Sequence, residues 1–109
     1  MNPRLTLDHA LARFSQSDQP FKRLFAHGSM EVEIYAPKGK DLQQPHTRDE
    51  LYVIAAGSGY FVHESDRHAV EVGEVLFVPA GDEHRFEDFS DDFATWVVFY
   101  GPDGGEKEP

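Results

Sequence analysis

From Phe21 onward, apolar and polar positions alternate. Met30, Val32 and Ile34 are separated by Glu31 and Glu33, the period-two pattern of a strand with one buried face and one wet face. The stretch FKRLFAHGSMEVEIYAPKG therefore predicts two strands joined through His27-Gly28-Ser29, and ELYVIAAGSGYFVHE repeats the arrangement around Gly57-Ser58-Gly59. Further strands are predicted in HAVEVGEVLFVPAG and FATWVVFYG. Turn signals recur roughly every eight to twelve residues, the rhythm of an antiparallel sandwich or barrel. Ahead of the strands the period is helical: Leu7, Leu11 and Phe14 fall near one face of a segment running from Leu5 to Phe14, with Thr6 placed as an N-cap. No repeat of fixed period is present.

One stretch ends abruptly. In GEVLFVPAGDEHRF the run Val75 to Val78 suits a single buried strand, and Pro79 stops it because proline brings no N–H to the ladder. Ala80 and Gly81 make the corner, Gly81 being free to take positive φ, and His84 follows three residues later at a fixed angle to the strand.

Composition narrows the setting. A chain of 109 residues fits one domain, and fourteen aromatics, nine Phe, four Tyr and one Trp, are enough to fill its core. The formal charge of -10 disfavours nucleic acid and anionic membrane as partners, since both require clustered Lys and Arg. Without cysteine, any metal must be held by nitrogen and oxygen. The start MNPRLTLDHALARF lacks a signal peptide's apolar run, and no segment approaches the ~20 apolar residues of a membrane span, so a cytoplasmic protein is expected.

The polar cluster QQPHTRDELYVIAAG stands before an apolar strand. Gln44 and His46 are two apart and Glu50 shares their parity, so on an extended chain the three side chains share a face. A closed barrel that lays His84 beside them gathers Gln44, His46, Glu50 and His84. Two imidazoles and a carboxylate suit a divalent first-row ion with open positions for water or substrate; Fe, Mn, Ni, Co and Zn all fit the donor types. The competing account is a polar cluster in a barrel mouth. A carboxylate and two imidazoles in apolar surroundings are costly without a cation, which favours the metal.

The two stretches together resemble the cupin family. Its first motif, His-x-His, three or four residues, Glu, six residues, Gly, is met by His46, Glu50 and Gly57; its second is met by Gly73, Pro79, Gly81 and His84. Gln44 stands where the family usually has its first metal-binding histidine, and Gly39 sits one residue later than the motif's opening glycine. Gln44 either completes a mixed site or withdraws and leaves three ligands. The resemblance covers roughly residues 30–101 and implies an all-β double-stranded β-helix, or jelly-roll barrel, with one short N-terminal helix. The expected division is 1–20 as helix and lead-in, 21–101 as the barrel, and 102–109 as a glycine-rich, charged, disordered tail.

What the resemblance implies for function is a metal-dependent enzyme, of dioxygenase, isomerase, decarboxylase or cyclase type, acting on a small organic molecule inside the barrel. Glu50 is then ligand, base or both. The alternative is a non-catalytic module that binds a small ligand or senses a metal. Tyr52 and Ile54, which share the parity of Glu50, together with Phe86 and Trp96, are candidate pocket residues, although core packing explains each as well. His9, His27, His63 and His68 read as solvated surface histidines. A homodimer is expected, with the apolar run Phe21 to Phe25 pairing with or covering a neighbour's sheet edge.

Overall fold

The computed structural model describes residues 3–107. Helix α1 spans Leu7–Phe14, and Thr6 caps it, its Oγ1 accepting from the His9 amide at 3.2 Å. Eight strands follow: β1 Phe21–His27, β2 Met30–Tyr35, β3 Asp49–Ala56, β4 Gly59–His63, β5 Asp66–Val70, β6 Val75–Val78, β7 His84–Glu87 and β8 Ala94–Tyr100. They form two antiparallel sheets, one ordered β1-β2-β8-β3-β6 and the other β5-β4-β7. This is the predicted all-β jelly roll with its short helix.

The alternation in sequence decides which faces meet. Tyr35, Tyr52, Ile54, Val78 and Val97 of the larger sheet pack against Phe61, Val70 and Phe86 of the smaller one, closing a core between the sheets. A second apolar cluster lies on the outer face of the larger sheet, where Ala10, Leu7, Leu11 and Phe14 of α1 cover Leu24, Ile34, Ala94 and Trp96. The helix thus seals one outer face and leaves the inner face to the site.

The strand break read at Pro79 is in place: β6 ends at Val78, and Gly81 turns the corner with φ of 85°. The Gly81 amide donates to the carbonyl of His46 at 2.7 Å, so the turn that aims His84 is tied to the loop that carries His46.

The expectation of a disordered tail is corrected for the described part. Residues 102–107 fold back over the start of β3, because a buried carboxylate holds them: Asp49, 6% exposed, accepts from the Ala80 amide at 2.9 Å and the Glu106 amide at 2.8 Å. The Gly104 amide reaches the Thr47 carbonyl at 2.6 Å, and the Thr47 hydroxyl donates to Asp103 at 3.0 Å. Glycines that looked too flexible to order supply instead the positive φ this fold-back needs, 90° at both Gly104 and Gly105. The remaining residues of the predicted tail, 108–109, lie outside the described residues. Replacing Asp49 by alanine strands two amides and is expected to cost about 2–3 kcal/mol in urea unfolding. A loss below about 0.5 kcal/mol, within the range of ordinary surface changes, would show the tail to be idle.

Candidate metal centre

Three side chains predicted from sequence converge. Glu50, the second residue of β3, is 1% exposed; His84 opens β7 in the opposite sheet and is 3% exposed; His46 is half-buried on the loop before β3. Glu50 Oε1 lies 3.1 Å from His84 Nε2 and 3.7 Å from His46 Nε2, and the two imidazole rings are 5.3 Å apart. Among the described residues Glu50 Oε1 accepts no hydrogen bond, although it is shut off from solvent. A buried, unshared carboxylate oxygen between two imidazole nitrogens is an expensive arrangement that a cation would relieve.

The surroundings orient these groups. His84 Nδ1 is 3.0 Å from the Asp82 carbonyl, which can only accept, so Nδ1 carries the proton and Nε2 is turned toward Glu50. Tyr52 Oη lies 3.1 Å from His84 Nε2 and donates to Gln43 Oε1 at 3.1 Å. Gln43 Oε1 also sits 3.1 Å from His46 Nε2, and the Gln43 amide nitrogen donates to Asp41 Oδ2 at 2.7 Å. Asp41 itself is 5% exposed; it accepts from the Phe86 amide at 2.8 Å, from the Gln43 amide at 3.1 Å, and from the Tyr35 hydroxyl.

Burial and charge set the protonation of the centre. Burial pulls the His46 imidazole below its ordinary value, only partly opposed by Glu50. For His84 burial acts the same way, but the Glu50 carboxylate at 3.1 Å and the Asp82 carbonyl outweigh it and hold the imidazole above its ordinary value. Burial, and then the charge of Glu50, push the Tyr52 phenol well up, so it stays a proton donor.

The glutamine predicted from parity is displaced by one residue. Gln44 is exposed and makes none of these contacts, while its neighbour Gln43 makes them all. Residues 41–46 form no strand, so the period-two rule does not carry through them, and Pro45 further restricts Gln44. Gln43 has the opposite parity to His46 and Glu50, and Asp41 lies ahead of the polar cluster, so the period-two rule selects neither.

A cavity of about 820 Å³ opens onto the centre, lined by His46, Glu50 and Tyr52 and, farther along, by Glu33, Val97 and Phe99. Of the other predicted pocket residues, Ile54 and Phe86 are buried in the core between the sheets, Phe86 with its ring 5.0 Å from that of Tyr52. Trp96 faces the other way, against the helix side. The inner face of β8 is carried by Val97 and Phe99 instead. His63 also departs from a solvated surface histidine. It is half-buried, stacks on Phe61 and pairs with Asp82 at 2.7 Å, because its strand position faces His84 across the smaller sheet. His9, His27 and His68 are exposed, as read.

Two facing antiparallel sheets with a buried imidazole and carboxylate cluster at the mouth of a cavity define a small jelly-roll barrel with a candidate metal site. The family model of the cupin domain matches residues 31–100, and the chain belongs to the cupin family. An uncharacterized protein of Streptomyces coelicolor is 31% identical over 99 residues, covering 89% of this chain and 94% of that protein. The transcriptional activator RhaS of Yersinia pestis is 29% identical over 99 residues, covering 91% of this chain but 33% of the activator, so the chain spans about a third of its length. Among solved structures, the DMSP lyase DddQ of Ruegeria pomeroyi aligns with a TM-score of 0.64 at 23% identity, covering 74% of this chain and 46% of that one, a likeness of fold. No helix among the described residues is long and apolar enough to cross a membrane.

Proposed function

We propose that this cupin is a metal-dependent enzyme acting on a small organic molecule held in the cavity, with His46, Glu50 and His84 as ligands of a divalent first-row ion. The observation that carries the reading is Glu50 Oε1, buried, accepting no hydrogen bond, and set between two imidazole nitrogens. The donor set fits Fe, Mn, Ni, Co or Zn. When bound, such an ion supplies Lewis-acid chemistry, stabilising negative charge that develops on a ligand oxygen.

The chain's own groups do the rest. The Asp82 carbonyl fixes the His84 tautomer, and Asp41 fixes the Gln43 amide so that its oxygen faces His46 and Tyr52. We therefore assign the neutral oxygen donor to Gln43 in place of Gln44. Tyr52 holds its proton at Oη beside the centre and is the group placed to donate it to a ligand. Val97 and Phe99 keep that part of the cavity dry. Glu50 is the candidate base as well as a ligand.

Titration of metal into chelator-treated protein tests the assignment. His46→Ala, His84→Ala and Glu50→Ala are each expected to lose at least about 100-fold in affinity, and Gln43→Ala about tenfold. Gln44→Ala is expected to bind as wild type does. Equal binding by all six proteins would put the site elsewhere. Uptake should also weaken as pH falls, because both imidazoles must be neutral at Nε2. His84, held above its ordinary value, takes its proton first, so the decline should begin above ~6.5, the ordinary value for histidine.

A second reading is supported by the similarity to RhaS: a binding module that holds a small ligand or senses a metal without turnover. Oxygen uptake by iron-loaded protein across diketones, flavonols and thiols tests the dioxygenase version, and pull-down of a specific macromolecule with no turnover of any candidate would favour the module. For assembly we retain a homodimer. β1 ends the larger sheet with β2 as its single partner, and Phe21 is 39% exposed, although Arg13 already donates to the carbonyls of Leu24 and Arg23 on that strand. Light scattering that finds only monomer at micromolar concentration would remove it.

A further inference from the structure

The cavity contains a second carboxyl that the proposed centre does not use. Glu33 on β2 lies opposite Val97 of β8, and Val97 lies opposite Tyr52 of β3, so Glu33, Val97 and Tyr52 form one row on the inner face. Two strand spacings separate the ends of that row, roughly 10 Å between the backbones of Glu33 and Tyr52. Both ends line the same cavity.

While Lys40 also lines the cavity, three of the cations around Glu33 bond elsewhere. Arg23, its partner across the β1–β2 ladder, gives its guanidinium to Glu31 at 2.9 Å. Arg48 goes to the same Glu31 at 3.2 Å and to the Gly101 carbonyl at 3.0 Å. Lys38, at the cavity, donates to the Asp91 carbonyl at 2.9 Å. Among the described residues no side chain makes a hydrogen bond or ion pair with Glu33. Burial, followed by the charges of Glu31 and Glu50, pushes its carboxyl up to about 7, against the opposing charge of Arg23.

The walls near it are of the matching kind. Phe14, Phe21, Tyr35 and Phe99 line the same cavity, and aromatic faces attract cations through their quadrupole. Along the Glu33–Tyr52 row an anion would meet Glu33 and Glu50, the two lysines of the lining, Lys38 and Lys40, lying outside that row. A polyhydroxylated molecule would find mostly apolar wall.

We propose that Glu33 is the ligand-recognition carboxyl of the cavity, and that the molecule bound there carries an ammonium-type cation at the end remote from His46, Glu50 and His84. This deepens the proposed function and rests on its reading of the cavity as the ligand site. The ligand is small, since one end sits at the imidazole and carboxylate cluster and the other at Glu33, a span of two strands.

Three probes of one size and shape test it: choline, its neutral carbon isostere 3,3-dimethylbutan-1-ol, and the anion 3,3-dimethylbutanoate, each titrated against the whole protein by NMR. Wild type is expected to prefer choline to the neutral isostere by about tenfold, the discrimination a desolvated cation–carboxylate and cation–π contact provides, and to bind the anion least. Glu33→Gln should abolish that preference while leaving the neutral isostere's affinity unchanged, which reports an intact cavity. Metal uptake by Glu33→Gln should equal that of wild type. A choline preference that survives Glu33→Gln, a preference for the anion, or no binding of choline at millimolar concentration overturns the proposal. Loss of the metal assignment with the choline preference intact would instead overturn the function proposed above and leave Glu33 in its role.

Discussion

Asp41→Ala is expected to destabilise the protein by about 3–5 kcal/mol, one of the two largest single-residue losses, although Asp41 touches none of His46, Glu50 and His84. Its carboxylate is 5% exposed and accepts from four donors: the Tyr35 hydroxyl, the Phe86 amide, and both the backbone and side-chain amides of Gln43. Removing it strands the Tyr35 hydroxyl and the Phe86 amide inside the barrel, where water cannot replace the acceptor. It also frees the Gln43 amide to turn, so the oxygen facing His46 and Tyr52 is no longer held. Urea unfolding and metal titration read the two consequences separately. Asp41→Asn keeps an acceptor for some of the four donors and should lie between wild type and alanine in both. A loss below about 1 kcal/mol in Asp41→Ala, the value of one ordinary hydrogen bond, would mean that the four contacts are not what holds this loop.

Asp41 and Gln43 also show where the sequence stops being legible. On β3 and β7 parity worked: Glu50, Tyr52 and Ile54 face inward together, and Phe86 shares the side of His84, because a pleated strand leaves only two directions for a side chain. The turn after Val78 was equally readable, since Pro79 and Gly81 impose their conformations by covalent structure. Between Pro37 and Arg48 no ladder fixes the chain, and the direction of Gln43 follows from Asp41, which is itself anchored by the amide of Phe86, 45 residues away, a contact that no local pattern encodes. The tail failed for a related reason: its composition carries no apolar signal, while the acceptor that orders it, Asp49, lies far away in sequence. Trp96 shows a different limit. Alternation along β8 separates two faces but does not label them, and here α1 supplies a second apolar layer that takes Trp96 to the outside.

Gly57→Ala should cost about 3–4 kcal/mol, well beyond what the same change costs at an open turn such as Gly81. Gly57 has φ of 76°, in the left-handed region where a Cβ is itself strained. The added carbon would come 2.4 Å from Ser90 Oγ, 2.8 Å from Asp92 Oδ1 and 2.8 Å from Phe93 Cα. Ser90 and Asp92 side chains can swing aside, at the loss of the Ser90 contact to the Ser58 amide at 3.0 Å, but the Phe93 backbone cannot move alone. Phe93 is 1% exposed and packs its ring 4.9 Å from that of Phe86, in the core between the sheets. Relief of the clash therefore means displacing a buried aromatic layer, which close-packed interiors resist. Gly81 is the control. Its φ of 85° is as unfavourable for alanine, yet a Cβ there meets nothing within 4 Å, so Gly81→Ala should cost only the conformational part, about 1–2 kcal/mol. The functional consequences should run opposite to the stabilities: Gly81 aims His84 through the turn tied to the His46 carbonyl, so its variant is expected to weaken metal uptake more than Gly57→Ala does. Thermal unfolding and metal titration of the two variants side by side decide it. Equal destabilisation would show that strain at φ, not the approach of Phe93, sets the requirement for glycine at position 57.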